Sequence, residues 1–140
     1  MLRLSVSAYA AMVGHCLDEL PYEGCGLLAG ASDSYGADDA HATRCYPTGN
    51  AARSSRVYTV EPRDMLRADR DAEAAGLAMI GVFHSHTHTD AYPSPTDVAQ
   101  APIPEWHYVL VSLRDTAPVV RSYRIVDGKI AEETVVLDRY

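Results

Sequence analysis

Two histidines one residue apart, His84 and His86, are followed by Ser94 and Asp97 in the order H-x-H-x7-S-x2-D. Two imidazoles and one carboxylate make three protein ligands, the number a catalytic zinc site uses when its fourth position is kept for water. The residues before them, 77–83 (LAMIGVF), read as a buried strand running into His84. On a strand, residues i and i+2 share a face, so His84 and His86 point the same way while Ser85 points away. Asp97 arrives from the start of the next helix and closes the set. That segment also has a plainer reading, because Ser at the N-cap, Pro at N1 and an acid at N3 is how many helices begin. The two readings are compatible, since a helix start is a rigid place from which to present a ligand.

A second acid stands upstream. Glu23 opens the run Glu23-Gly24-Cys25-Gly26-Leu27-Leu28-Ala29-Gly30. Read alone it is equally a surface glutamate at the edge of a strand. Its setting favours chemistry: Cys25, Leu27 and Leu28 have the character of core strand residues, and the glycines let other backbone or a ligand come close. A carboxylate partly buried beside a metal site is well placed as a general base, because burial raises its pKa toward working pH.

Glu23 followed by H-S/T-H-x7-S-x2-D resembles the signature of the JAMM (MPN+) metalloproteases, matched here at Glu23, His84, Ser85, His86, Ser94 and Asp97. The resemblance covers essentially all 140 residues. Within the family, the segments EGCGLLAG (23–30), AYPSPTDV (91–98), HYVLVS (107–112) and RSYRIVDG (121–128) are similar to the bacterial Mec-type hydrolases of CysO-cysteine adducts. One departure is visible. Many family members have Pro after the second histidine, where this chain has Thr87; that alters the loop and removes no ligand.

The resemblance implies one Zn2+ per chain on His84, His86 and Asp97, with Glu23 as general base and Ser94 stabilising an oxyanion. It implies as substrate the C-terminal Gly-Gly tail of a ubiquitin-like sulfur carrier protein bearing an amide-linked amino acid, cysteine foremost. Two alternatives stay open: a broader isopeptidase acting on ubiquitin-like tails, and a non-catalytic MPN scaffold. An extended Gly-Gly tail could add to an exposed sheet edge. The candidate edges are a strand at 57–60 and the loop 87–93, with Tyr92 a possible wall of the channel.

Composition narrows the partners. The 140 residues are 47% hydrophobic, carry a net charge of −7 and have a pI near 5.2. An acidic chain of this kind argues against nucleic acid and anionic membrane as main partners. No apolar run approaches the ~20 residues needed to span a bilayer, and residues 1–4 lack the apolar segment of a signal peptide. Cys16, Cys25 and Cys45 are odd in number and scattered, which reads as reduced thiols in a cytoplasmic protein. Cys25 is assigned to the core. The sequence leaves the oligomeric state open.

The elements that must hold these residues follow from periodicity. A strand is expected over 2–5 and a helix over 7–19, with Ala10, Val13, Leu17 and Leu20 as its apolar face. Strands are expected over 23–29 and 42–46, separated by a polar loop over 32–39. The flexible stretch 47–55 leads to the strand over 57–60 and then to a charged helix over 62–75, with Pro62 in its first turn and Gly76 past its end. A short helix over 95–101 is stopped by Pro102 and Pro104. Strands over 107–113, 119–126 and 129–137 end the chain, the last two joined by Asp127-Gly128, a strong hairpin signal. The result is one α/β or α+β domain over 1–140, a curved mixed sheet packed with helices. The resemblance implies the cytidine-deaminase-like MPN arrangement. His88 is read as substrate-facing or solvated rather than as a ligand, and His15, His41 and His107 as structural or exposed.

Overall fold

The computed structural model describes residues 1–139. Strand β1 (Leu2–Ser5) runs directly into helix α1 (Val6–Asp18), capped by Ser5, whose hydroxyl accepts the Ala8 N–H at 3.1 Å. The buried stripe of α1 is Ala8, Met12 and Cys16, while Ala10, Leu17 and Leu20 are exposed and Val13 is only partly covered. The expected face is therefore wrong by a rotation. The helix is apolar on more than one side, so 3/4 spacing fits two stripes and the sheet beneath selects between them.

Next come β2 (Cys25–Ala31), β3 (Ala40–Ala42), β4 (Arg44–Thr48), helix α2 (Pro62–Ala74) and the long strand β5 (Leu77–His86). They are followed by α3 (Pro95–Ala99), β6 (His107–Ser112), β7 (Val119–Val126), β8 (Lys129–Glu133) and β9 (Val135–Asp138). Six strands form a mixed sheet in the order β4-β2-β5-β6-β7-β8, and three form a parallel sheet in the order β3-β1-β9. In the large sheet only β5 and β6 are parallel. A parallel pair needs a crossover connection, and that crossover carries α3.

The central strands of the large sheet, β2, β5 and β6, are buried on both faces by helices and the small sheet, and the fold is α/β as expected. Leu28, Ile80, Phe83, Val109 and Val111 face α1 and the small sheet, together with Leu2, Leu4, Met12 and Cys16. Leu27, Val82, Leu110, Tyr123 and Ile125 face the other way, toward Tyr58 and Ala68 of α2. Each fully buried large side chain contributes about 1.5–3 kcal/mol. Only Ala68 and Ala72 of α2 are buried, so its many charges are a solvated face. Close packing explains the glycines of the central strands. A Cβ at Gly81 would lie 2.4 Å from the His107 carbonyl oxygen, and one at Gly26 the same distance from Phe83 and from the Tyr46 oxygen. Asp127 and Gly128 both have positive φ, 51° and 75°, as a two-residue hairpin turn requires.

Three expectations are corrected. The strand expected over 42–46 is two strands, β3 and β4, in different sheets. The single strand over 129–137 is likewise two, since the chain leaves the large sheet at Thr134, whose carbonyl accepts the Leu2 N–H at 2.8 Å, and β9 pairs with β1. The strand over 57–60 does not form; Val60 alone makes a bridge, to Asn50. Side chains have taken the backbone groups a neighbouring strand would have paired. Asn50 Oδ1 accepts the Thr59 N–H and its amide donates to the Val57 carbonyl, while Ser54 Oγ accepts from Arg56 and Val57. No helix among the described residues is long and apolar enough to cross a membrane.

Candidate metal centre

The site lies at the carboxyl end of β5, where the sheet passes from antiparallel to parallel pairing. β2 runs antiparallel to β5 with Cys25 opposite His84. Two residues back on one strand are two residues forward on the other, so Glu23 stands opposite His86. The Ser85 N–H donates to the Gly24 carbonyl at 2.9 Å, and the Gly24 N–H donates to Ser85 Oγ at 2.8 Å. Ser85 is fully buried and points away from the two histidines, as alternation requires, and fixes the segment that carries Glu23. Its hydroxyl also contacts the Cys16 thiol.

His84, His86 and Asp97 are all buried, and one ligand atom from each lies within 4.8 Å of the others. His86 Nε2 is 2.9 Å and His84 Nε2 3.2 Å from Asp97 Oδ2. The second ring nitrogen of His86 lies 2.8 Å from the Asp90 carbonyl. A carbonyl only accepts, so Nδ1 carries the proton and Nε2 is the nitrogen left to bind a cation, the arrangement common to metal-ligating histidines. His84 Nε2 makes no hydrogen bond, and the Tyr58 ring stacks on its imidazole at 4.1 Å and 18°. Burial pushes the His84 pKa down, favouring the neutral ring that can act as a ligand. Burial also opposes charge on Asp97. The two imidazoles and the Ser94 N–H outweigh it and hold Asp97 well below the ordinary carboxylate range.

Ser94 and Asp97 cap α3 reciprocally. Ser94 Oγ accepts the Asp97 N–H at 3.1 Å, and Asp97 Oδ2 accepts the Ser94 N–H at 2.9 Å. Capping fixes the carboxylate that faces the histidines and leaves the Ser94 hydroxyl proton free to donate. The donor set, its burial and a His84 nitrogen that approaches Asp97 without forming a hydrogen bond fit a small divalent cation.

Glu23 is 2% exposed, and its Oε1 is buried without a hydrogen-bond partner. Burial raises its pKa from 4.5 to about 7; the His86 charge works against this and Asp97 adds to it. Glu23, His86 and Ser94 line one cleft of about 380 Å³, together with Arg56, Thr87 and His88. The backbone of Glu23 is held on both sides, its N–H by the Ser54 carbonyl at 2.8 Å and its carbonyl by the Asn50 amide at 3.1 Å.

Other sequence-singled residues fall elsewhere. His88 lines the cleft and is exposed, outside the ligand group. Tyr92 is 57% exposed, packs edge-on against Tyr123 at 5.7 Å and does not line the cleft, contrary to the channel-wall expectation. His107 is fully buried and structural, with one ring nitrogen 2.6 Å from Glu133 and the other 3.1 Å from the Ala37 carbonyl. Cys16, Cys25 and Cys45 are free thiols, pushed by burial up to about 12, 11 and 12. Tyr58 and Arg56 are site residues that sequence reasoning missed. Tyr58 sits in the segment taken for a strand and Arg56 just before it, and no spacing rule connects them to residues 84–97.

A profile of the prokaryotic homologs of the JAB domain matches residues 5–126. The CysO-cysteine peptidase of Mycobacterium tuberculosis is 45% identical over 132 residues, covering 93% of this chain and 87% of that protein. The desampylase of Haloferax volcanii is 33% identical over 116 residues, covering 79% and 80%. A protein of Desulfitobacterium hafniense with a known solution structure superimposes with a TM-score of 0.90 at 35% identity, over 100% of this chain and 94% of that one.

Proposed function

The chain belongs to the family of prokaryotic homologs of the JAB domain, and from that premise we propose that it is a cytoplasmic, zinc-dependent hydrolase whose residues 1–140 form the catalytic domain. Its substrate is the amide between the C-terminal Gly-Gly of a ubiquitin-like sulfur carrier protein and an attached amino acid, cysteine foremost. The observation that carries the proposal is a buried His–His–Asp donor set, one of whose imidazoles, His86, lines the same cleft as Glu23, a buried carboxylate with an oxygen that has no hydrogen-bond partner. The 45% identity to a CysO-cysteine peptidase supports the choice of substrate.

His84, His86 and Asp97 would hold the zinc. A zinc ion there supplies Lewis-acid charge that polarises the scissile carbonyl and lowers the pKa of water to about 7. Glu23 takes the proton from the attacking water, a task suited to a carboxylate whose pKa is about 7. The Ser94 hydroxyl, its oxygen already accepting the Asp97 N–H, donates to the oxygen that gains charge, a contribution of roughly 3 kcal/mol. Glu23 then passes its proton to the leaving amine. Tyr58, stacked on His84, keeps one side of the site dry.

The test is to incubate the zinc-loaded protein with a carrier–cysteine adduct and weigh the products by mass spectrometry. Loss of one cysteine residue, leaving a free Gly-Gly carboxylate, is expected, and Glu23→Gln keeps its zinc while losing at least about 100-fold in turnover. Near-wild-type turnover by Glu23→Gln refutes the mechanism. The similarity to a desampylase keeps a broader isopeptidase as the second reading, separated by a panel of tail-modified proteins. Zinc binding without cleavage of any panel member would instead indicate a scaffold.

A further inference from the structure

We infer that Arg56 recognises the α-carboxylate of the amino acid that leaves, making the site selective for a C-terminal single-residue adduct over a lysine isopeptide. The inference rests on the function proposed above and adds to it the feature of the substrate that is read. Arg56 is the one guanidinium lining the cleft that holds Glu23, His86 and Ser94. Among the described residues its side chain makes no ion pair or hydrogen bond. Arg44, Arg114, Arg121 and Arg124 each lie within 4.0 Å of a carboxylate, and Arg53, Arg63 and Arg70, which like Arg56 make no ion pair among the described residues, do not line this cleft. A free cation facing a reaction site, in a chain of net charge −7, is suited to an anionic substrate group that the rest of the surface repels.

The segment bearing Arg56 is fixed to the catalytic elements. The Ser54 carbonyl accepts the Glu23 N–H at 2.8 Å, and Ser54 Oγ accepts the Arg56 N–H at 3.0 Å. On the opposite side the Thr87 hydroxyl, one residue past His86, donates to the Ser55 carbonyl at 3.3 Å. A proline at position 87 could not make that bond. Arg56 is therefore carried on a bridge between the strand start that bears Glu23 and the strand end that bears His86.

The chemistry of the two substrate classes differs at this point. When the scissile nitrogen is the α-amine of a terminal amino acid, a carboxylate lies one carbon away. When it is a lysine ε-amine, a butylene chain and a polypeptide follow. A guanidinium binds a carboxylate through two parallel N–H donors, and a lysine ammonium cannot reproduce that fork.

The experiment compares two adducts of one carrier protein, ending in cysteine with a free α-carboxylate and in cysteinamide. Wild-type enzyme is expected to favour the free acid by about 10- to 100-fold in kcat/KM, the effect of a charge-assisted hydrogen bond. Arg56→Gln should bring the two rates within about threefold of each other, and Arg56→Lys should restore part of the preference. In the Glu23→Gln background, which binds without turning over, Arg56→Gln should weaken binding of the acid adduct by a similar factor. A preference that persists in Arg56→Gln, or equal wild-type rates for the two adducts, overturns the inference and leaves the hydrolase reading intact. Cleavage of neither adduct by wild type defeats that reading and the inference together.

Discussion

Replacing Glu23 by Gln in metal-free protein isolates the cost of a carboxylate placed in the cleft without a partner. Gln and protonated Glu are nearly the same shape, so the two proteins differ only where Glu23 would be charged. Burial raises its pKa from 4.5 to about 7, partly offset by the His86 charge and reinforced by Asp97. A carboxyl with a folded pKa above its unfolded one holds a proton more tightly when folded. Its contribution to stability is therefore fully present below pH 4.5 and is lost as pH rises through about 7. The whole shift corresponds to about 3 kcal/mol at 1.36 kcal/mol per unit. Water on the open side of the cleft screens the charge, leaving ~1–2 kcal/mol to be measured. Urea unfolding of both proteins in chelator, from pH 5 to 8, should show Glu23→Gln gaining stability over wild type as pH rises. Its advantage should level off above pH 7 and shrink on adding zinc, because a cation beside the carboxylate favours the charged form. Stability profiles that stay parallel across this range would refute the claim that Glu23 is strained by burial.

Zinc at about a hundredfold its Kd should stabilise the wild type by about 2.7 kcal/mol, raising Tm by roughly 10 °C. Asp97→Asn should abolish most of that rise in a thermal melt while its own α3 cap is largely retained, because an amide oxygen still accepts the Ser94 N–H. Ser85→Ala touches no ligand, yet it leaves the buried Gly24 N–H without its acceptor. A loss of about 1–3 kcal/mol in urea unfolding is expected, with kcat falling more than zinc affinity because the loosened segment carries Glu23 rather than a ligand.

The candidate site was legible in the sequence where its residues are close along the chain and where period decides direction. His84 and His86 share a face because strands alternate, and Ser94 with Asp97 forms a cap because Ser-Pro-Thr-Asp has the chemistry of a helix start. The α/β class followed from the order of elements for the same reason. Long-range choices were not legible. The switch of sheets between β8 and β9 at Thr134 has no turn signal, since the chain stays extended and only its hydrogen-bond partner changes. The segment 57–60 has strand-forming residues, but Asn50 and Ser54 satisfy its backbone with side chains. The buried face of α1 was read one stripe away because Met12 and Cys16 compete with Val13 and Leu17 at equal spacing.

One feature of the topology joins these parts. Glu23 and His86 are 63 positions apart, yet the antiparallel register that sets Cys25 against His84 sets them opposite each other at one end of the sheet. Asp97 reaches the same end because β5 and β6 are parallel, so the chain must cross over after His86 and can place a helix start there. An antiparallel β6 joined by a tight hairpin would leave no room for α3. A parallel β2 would carry Glu23 to the far end of β5. The chemistry therefore needs β5 between one antiparallel and one parallel neighbour, and a β5 of ten residues whose last three carry both histidines. Substitutions that shift this register by one residue would turn both imidazoles into the α1 core and Ser85 into the cleft, so register and catalysis should be lost together.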